Sequence, residues 1–280
     1  MVWTKLPYYL AATSATLLLE LVTIPASFIV AQAQTTTPNP TSRDSMLARA
    51  TFEPPPGQDA PESTVGGGRR NDGQCPQERK TLNQPDVTKA TDEFLTPLLP
   101  SIKVGESNKT KWGLTVSEHP TFLVYVPKTS AKAAEFTLES PDGTQIYQTT
   151  LDLTDTPGVI SFSLPTTEPG LEIGKDYKWV VALVCQPRGP EDPFAEGLVR
   201  RSQADSALMS QLDKAAPIDR VALYAKYGSW YDALATLATL RRDQPNDPKL
   251  VSAWKELLQL GQLDLLSGEL DAIANAPLRN

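Results

Sequence analysis

Six short runs lie between Trp112 and Cys185, most of them alternating apolar with polar residues, and this pattern restricts the possible folds more than any other feature of the sequence. The runs are WGLTVSE, TFLVYVP, AAEFTLES, TQIYQTTLDL, GVISFSLP and YKWVVALVC. A period of two places alternate side chains on one face, so each run predicts a β-strand. Turn residues separate the runs, most clearly SPDGT, whose Asp-Gly centre predicts a hairpin. The sequence therefore predicts a mainly β fold, an antiparallel immunoglobulin-like β-sandwich.

Three segments extend this prediction. YKWVVALVC is apolar on both faces, which is typical of a central strand. AEGLVRR, residues 195–201, predicts a last edge strand, and TDEFLTPLLP, residues 91–100, predicts a short helix packed on the sandwich.

After Arg201 the apolar period becomes helical, with Ser202 as a possible helix cap. The segment around residues 216–247 resembles the second half of a tetratricopeptide repeat, although Arg220 stands where leucine is usual. The positions that fit the repeat are Gly228, Trp230, Ala233, Leu237 and Pro245. One such unit is too few for a free-standing solenoid, so we predict a small α-helical, tetratricopeptide-like C-terminal module at 203–280 that docks on another part of the protein.

The N-terminus carries an export signal. Lys5 precedes a long apolar stretch, residues 6–30, and AQAQ supplies an Ala-x-Ala cleavage pattern. Residues 1–33 are thus a signal peptide or a retained anchor helix, although Glu20 makes a permanent span costly. Either reading places the rest of the chain outside the cytoplasm, in the periplasm or secreted, and any membrane contact depends on this segment staying uncleaved.

Residues 34–68 are dominated by Thr, Pro, Ser and Gly without a hydrophobic period. Such a segment cannot bury enough apolar surface to offset its conformational entropy, which predicts a disordered linker. The β-sandwich domain then begins at about residue 69 and extends to 202.

The chain has two cysteines, Cys75 and Cys185. Their separation does not fit a zinc or redox motif, and in an oxidising compartment the default is a bridge between them. The alternative is two independent thiols, with Cys185 a small core residue.

His119 is the only histidine, and it stands beside Ser117 and Glu118. Neighbours in a strand point to opposite faces and cannot easily form a catalytic relay, and no Gly-x-Ser-x-Gly occurs in the sequence. Pro120 removes a ladder donor, so we expect His119 to mark a strand edge rather than to catalyse.

Other candidate sites have simple structural explanations. Two pairs of carboxylates, Glu191 with Asp192 and Asp152 with Asp155, fall in loops or at strand ends, and Asn108-Lys109-Thr110 matches a glycosylation acceptor. Four aromatic residues that could line a sugar-binding face are expected to be core instead: Trp112, Tyr125, Tyr147 and Trp179. We predict no catalytic residue, no metal site and no cofactor. The net charge of −7 argues against nucleic-acid binding.

Several phrases, taken in order, carry a family resemblance: CPQERKTL, LTPLLP, GLTVSEHPTFLVYVP, AEFTLESPDGTQIYQTTLDL, PGVISFSLP, LEIGKDYKWVVALVC and AEGLVRR. Over about residues 69–202 the chain resembles a cyanobacterial domain-of-unknown-function family, number nine-twenty-eight. The resemblance implies an exported β module often followed by a short helical tail, with no catalytic residues. It also implies that Cys75 and Cys185 are a pair.

We therefore expect an extracytoplasmic protein of the cell envelope, a non-enzymatic binding or adaptor module that acts through protein–protein contacts. Its partner would be an envelope protein or a glycan. Two alternatives stay open: a carbohydrate-binding module, and a hydrolase of envelope polymers that uses a carboxylate pair.

Overall fold

The computed structural model describes residues 73–78, 94–104, 108–261 and 269–279. The predicted signal or anchor segment and the predicted linker lie outside these residues. The strands in chain order are β1 (Thr96–Pro97), β2 (Ser101–Val104), β3 (Asn108–Thr115), β4 (Thr121–Val126), β5 (Ala133–Glu139), β6 (Gln145–Asp152), β7 (Gly158–Ser163), β8 (Asp176–Val184) and β9 (Phe194–Arg201). The helices that follow are α1 (Ser206–Leu212), α2 (Pro217–Lys226), α3 (Trp230–Asp243), α4 (Pro248–Leu260) and α5 (Glu269–Asn275).

Two sheets form a sandwich-like arrangement. One sheet has the order β1-β4-β7, and the other has the order β2-β3-β9-β8-β5-β6. All neighbouring strands are antiparallel except β3 and β9, which pair in parallel. The antiparallel prediction is therefore correct for most of the fold and wrong for this one pair.

β9 occupies the middle of the larger sheet, so its prediction as an edge strand was wrong. Strand periodicity does not report in-plane neighbours, and β9 pairs with β3 on one side and with β8 on the other. Its face is closely covered at Gly197, where an added Cβ would lie 2.4 Å from Leu99 and 2.7 Å from Trp179. Glycine gives the indole room to lie over the strand. The two arginines at the end of β9 are both engaged, since Arg200 pairs with Asp176 and Arg201 donates to the carbonyl of Leu171.

The alternating side chains meet between the sheets as the sequence predicts. Phe136 of β5 stacks on Phe162 of β7 at 5.1 Å between ring centroids, and Phe122 of β4 lies 4.9 Å from Phe136. One face of β8 is buried throughout, while its other face is half-buried. Aromatic burial between the two sheets is thus the centre of the core.

The predicted hairpin joins β5 to β6. Ser140 donates its backbone N–H to the carbonyl of Thr144 at 2.9 Å, and Gly143 has φ of 83°, which favours glycine. The carboxylate of Asp142 accepts from the hydroxyl of Ser140 and from the backbone N–H of Thr144, and these bonds lower the pKa of Asp142 to about 2. Asp-Gly thus closes this turn by the mechanism that the sequence predicts.

Residues 94–100 do not form the predicted helix. Pro97 and Pro100 disfavour helical backbone at and before their positions, and the segment instead places β1 against β4. Leu95, Leu98 and Leu99 are buried there. The leucines of this segment pack on the sandwich as predicted, but the prolines favour an extended conformation over a helix.

The helices begin with caps that differ from the predicted one. Asp205, not Ser202, accepts the backbone N–H of Ala207 at the start of α1, and Asp247 caps α4 in the same way. Gly228, with φ of 73°, makes the turn between α2 and α3 that the sequence predicts. The tetratricopeptide-like character of these helices stays a prediction.

One hydrophobic core contains residues from both sheets and from α2 to α5. The described residues all belong to one compact unit, residues 40–280. Within the part of the chain that the structure describes, none of the helices combines the length and apolarity that crossing a membrane requires.

Candidate interaction surface

The neighbours of His119 are each engaged in local structure. The ring Nε2–H of His119 donates to the carbonyl of Glu168 at 3.0 Å, and its backbone N–H donates to Oγ of Ser117 at 3.1 Å. Glu118 instead accepts from the guanidinium of Arg201 at 2.7 Å. His119 therefore ties the β3–β4 connection to the loop at 165–170, Glu118 ties it to β9, and Ser117 bonds within the connection, so the three side chains do not form a relay with each other.

Cys75 and Cys185 form a disulfide, as predicted. It ties residues 73–78 to the end of β8. Two neighbours reinforce the attachment, because Gln77 donates to the carbonyl of Gln186 and Glu78 accepts the backbone N–H of Ser130 at 2.6 Å. The disulfide and these hydrogen bonds together attach residues 73–78 to the sandwich.

The carboxylates singled out from the sequence do not form a shared site, and Asp155 and Asp192 each have a separate local partner. Asp155 pairs with Arg279 at 3.3 Å, and Asp192 accepts the backbone N–H of Gly189 within a turn. Asp152 is exposed at the end of β6. Across the described ranges, no cluster of three His, Cys, Asp or Glu side chains has the arrangement of a metal site.

The four candidate sugar-binding aromatics do not form an exposed row. Trp112, Tyr125 and Trp179 are at most 1% exposed, and Tyr147 is half-buried with its ring 6.3 Å from that of Phe136. A glycan needs accessible ring faces for stacking. These residues therefore serve the core.

Two aromatic residues at the start of α3 enter the sandwich, and the sequence analysis did not assign them this role. The indole N–H of Trp230 donates to the carbonyl of Leu98 at 2.7 Å. The hydroxyl of Tyr231 accepts from Nε1 of Trp179 at 2.7 Å and donates to the carbonyl of Leu198 at 3.0 Å. Adjacent helix residues point about 100° apart, so both side chains can face the sandwich from the same side of α3. The feature of the sequence that could have indicated this role is WYD, residues 230–232, three successive side chains that each end in a polar group.

Asp232 completes this junction. Its carboxylate accepts the backbone N–H of Val116 at 2.9 Å and the hydroxyl of Thr115 at 3.2 Å, at the end of β3. Burial raises the pKa of Asp232 to about 6, although these hydrogen bonds act in the opposite direction. A helix residue thus satisfies the donors at the end of a strand, and the helices are fixed to the sandwich.

The edges of the sheets differ in their protection. The outer side of β7 is covered because Val159 donates to the carbonyl of Pro277 at 2.9 Å and accepts from the backbone N–H of Arg279 at 2.8 Å. β1 has only two residues and contains Pro97, and β2 contains Lys103. Short length, proline and lysine are common features of edge strands that prevent unwanted pairing with another strand.

β6 differs from these three strands. It is the other end of the larger sheet, and residues 145–151 contain no charged residue and no proline. Four of its side chains are exposed, namely Gln145, Gln148, Thr150 and Asp152, and four are half-buried, namely Ile146, Tyr147, Thr149 and Leu151. Among the described strands none lies on its outer side. We call this outer side of residues 145–152 the β6 edge.

The backbone of the β6 edge presents hydrogen-bonding groups outward. Leu153 donates its N–H to the carbonyl of Lys132 on the β5 side. In an antiparallel ladder successive residues alternate between facing the partner strand and facing away. The N–H and C=O groups of Gln148, Thr150 and Asp152 therefore point away from β5. No described strand pairs with these groups, so a further strand could bond to them.

A family model matches residues 65–278, more than half of the chain, under the description Domain of Unknown Function (DUF928). The chain belongs to the DUF928 family. This confirms the family resemblance seen in the sequence, while the cyanobacterial origin stays a prediction. The DUF928 match also extends beyond the predicted range of 69–202, so it includes the described helices and residues 277 and 278 beside β7.

Two solved structures show similarity to this DUF928 chain. One is the solution structure of the fn3 domain of the human collagen alpha-1(XX) chain, with 19% identity over 38% of this chain and 93% of that domain. The other is the apo structure of Bacteroides uniformis beta-glucuronidase 3, with 10% identity over 54% of this chain and 31% of the enzyme. The TM-score is 0.23 in both cases, too low to support an inference. No curated protein matches the chain.

Proposed function

We propose that this DUF928 chain is a non-enzymatic binding or adaptor protein that acts outside the cytoplasm through protein–protein contacts. The β6 edge is its binding surface. The observation that carries this proposal is an accessible edge strand whose only charge is at its last residue, Asp152, in described sheets whose other edges have proline, lysine or a covering segment.

The chemistry of the β6 edge suits recognition of an extended segment. Gln148, Thr150 and Asp152 supply backbone donors and acceptors, and an added strand would satisfy them without change to the sheet. Main-chain hydrogen bonds provide affinity in this mode, and the alternating side chains provide selectivity.

The disulfide supports the proposed location. A bridge such as Cys75–Cys185 persists in secreted or periplasmic proteins and is rare in the cytosol. The contacts of Trp230 and Tyr231 support the adaptor role, because they hold the helices and the sandwich together as a stable platform.

Site-specific photo-crosslinking in the producing cell tests this proposal. A photoreactive residue at Gln148 should yield one discrete protein adduct, identified by mass spectrometry. The same residue at Thr167, an exposed loop position, is the matched control and should yield none. Thr150→Pro should abolish the adduct, since it removes an outward donor while the β5 pairing is retained. Equal labelling at Gln148 and Thr167, or no protein adduct at either, would refute the assignment.

A further inference from the structure

We propose that a second copy of this chain occupies the β6 edge, in an antiparallel pairing with a two-fold axis at Thr149. This inference rests on the proposed function, because it names the partner of the same surface. The resulting dimer would contain one continuous sheet made from the larger sheets of two copies.

The backbone directions support this register. In a two-fold antiparallel pair centred on Thr149, Gln148 lies opposite Thr150 of the second copy, and the reverse pair forms by symmetry. Both residues point their N–H and C=O groups outward, as such a hydrogen-bonded pair requires. The bulge between β5 and β6 lies at the hairpin end, near Ile146, so the regular part of the strand is centred close to Thr149.

The side chains are self-complementary in the same register. Thr149 meets Thr149 of the second copy, and Tyr147 meets Leu151. Threonine pairs and aromatic–aliphatic pairs across strands stabilise a sheet by roughly 0.2–1 kcal/mol each. Asp152 is the only charged residue of β6, and it lies opposite Ile146, so the two carboxylates are at opposite ends of the interface.

The incomplete burial of β6 also supports a partner with this pattern. Ile146, Tyr147 and Leu151 pack against the core but stay half-buried. An identical strand beside them would bring Tyr147 and Leu151 into mutual contact and extend the core across the two-fold axis. Their apolar surface would then be removed from water.

Charge variants at the two-fold axis provide the test. Analytical ultracentrifugation of the full chain over a concentration series should show a monomer–dimer equilibrium. Thr149→Lys and Thr149→Glu should each weaken dimerisation by about tenfold or more, because like charges are then directly opposite. An equimolar mixture of the two variants should restore the dimer, because Lys then lies opposite Glu. Thr167→Lys and Thr167→Glu are the matched controls and should dimerise like the wild type.

Recovery in the mixture shows that both variants are folded, so a loss of dimer in each alone reports on the interface. A wild type that stays monomeric, or a dimer that Thr149→Lys leaves intact, would overturn self-pairing. So would a mixture in which the dimer does not return. A crosslink from Gln148 to a different protein would then preserve the proposed function while it excludes a second copy as the partner, whereas absence of any adduct would remove both.

A cysteine at the two-fold axis tests the register itself. Directly opposite residues in a non-hydrogen-bonded pair have Cα atoms about 4.5 Å apart, within the range of a disulfide. Thr149→Cys should therefore form an intermolecular bridge upon oxidation with diamide, and Thr167→Cys should not. Bridging by Gln148→Cys in place of Thr149→Cys would overturn the register centred on Thr149.

Discussion

Asp232 lies in helix α3, but its carboxylate accepts hydrogen bonds from residues at the end of strand β3. Its hydrogen bonds to Val116 and Thr115 occupy donors at the end of β3 that otherwise would need water. The carboxylate is largely withdrawn from water there, and burial raises its pKa from 3.8 to about 6. A single residue thus makes the helix–sandwich junction sensitive to pH.

The sign of this effect follows from proton linkage. The folded state holds the proton of Asp232 more strongly than the unfolded state does, so the stabilising contribution is complete below pH 3.8 and declines as the pH rises to about 6. Asp232→Asn removes this titration. We expect the free energy of unfolding of the variant, relative to the wild type, to rise by about 3 kcal/mol between pH 3.8 and pH 7.

Urea unfolding at a series of pH values measures this difference. Asp219→Asn, an exposed acidic residue in the first turn of α2, is the matched control and should follow the wild type at every pH. A constant difference between Asp232→Asn and the wild type across the series would contradict the prediction.

At the scale of secondary-structure elements, the sequence predicts most of the strands but not which strands lie next to each other in the sheets. Period-two alternation identifies β5 to β7 because a half-buried strand must alternate, and the continuous apolar runs of β4 and β8 indicate strands covered on both faces. The central place of β9 comes from its pairing with β3, which is distant in the sequence, and Gly197 leaves room there for Trp179. The docking of α3 through Trp230 and Tyr231 is also a tertiary contact. The helical period of apolar residues predicts the helix but not the surface on which the helix packs. The β6 edge escaped prediction because alternation shows which residues form a strand but not whether the strand is an edge.

The disulfide acts at the scale of an element, since it holds residues 73–78 on the end of β8. Closing a loop across a sequence separation of 110 residues should stabilise the fold by about 4–5 kcal/mol in the chain-entropy model. We expect Cys75→Ser to lower the unfolding midpoint in urea accordingly and to change the mobility on a non-reducing gel. Cys185→Ser and the double variant should match it, because each removes the same bond. Unchanged stability and mobility in Cys75→Ser would contradict this.

At the scale of the whole molecule, the sandwich and the helices share one core. The ring of Tyr231 lies edge-on to Phe122 at 5.4 Å between centroids, inside the aromatic cluster of the sandwich. A boundary near residue 202 is visible in the sequence as a change of period, yet the hydrophobic core continues across it. The helices therefore contribute side chains that the sheets need for their own packing.

A chain truncated after Ser202 tests this dependence. Without Trp230 and Tyr231 the core loses two buried aromatic side chains, and the loss of each costs about 3–5 kcal/mol. We expect the truncated protein to lose cooperative thermal unfolding and near-ultraviolet circular dichroism and to bind a hydrophobic dye. Tyr231→Ala in the full chain should lower stability in the same direction. A truncated sandwich that unfolds cooperatively at the temperature of the full chain would show that the sheets fold independently.

The cover on β7 has a consequence for the order in which the molecule is made. Ser161 and Arg279 are 118 residues apart, and they are joined where residues 277–279 run beside β7. During synthesis β7 emerges long before the segment that shields it, so its outer side stays uncovered for the time needed to make those intervening residues. A partner or chaperone that recognises open strands would therefore meet the outer side of β7 as well as the β6 edge on the nascent protein, and of these two it would meet the β6 edge alone on the finished one.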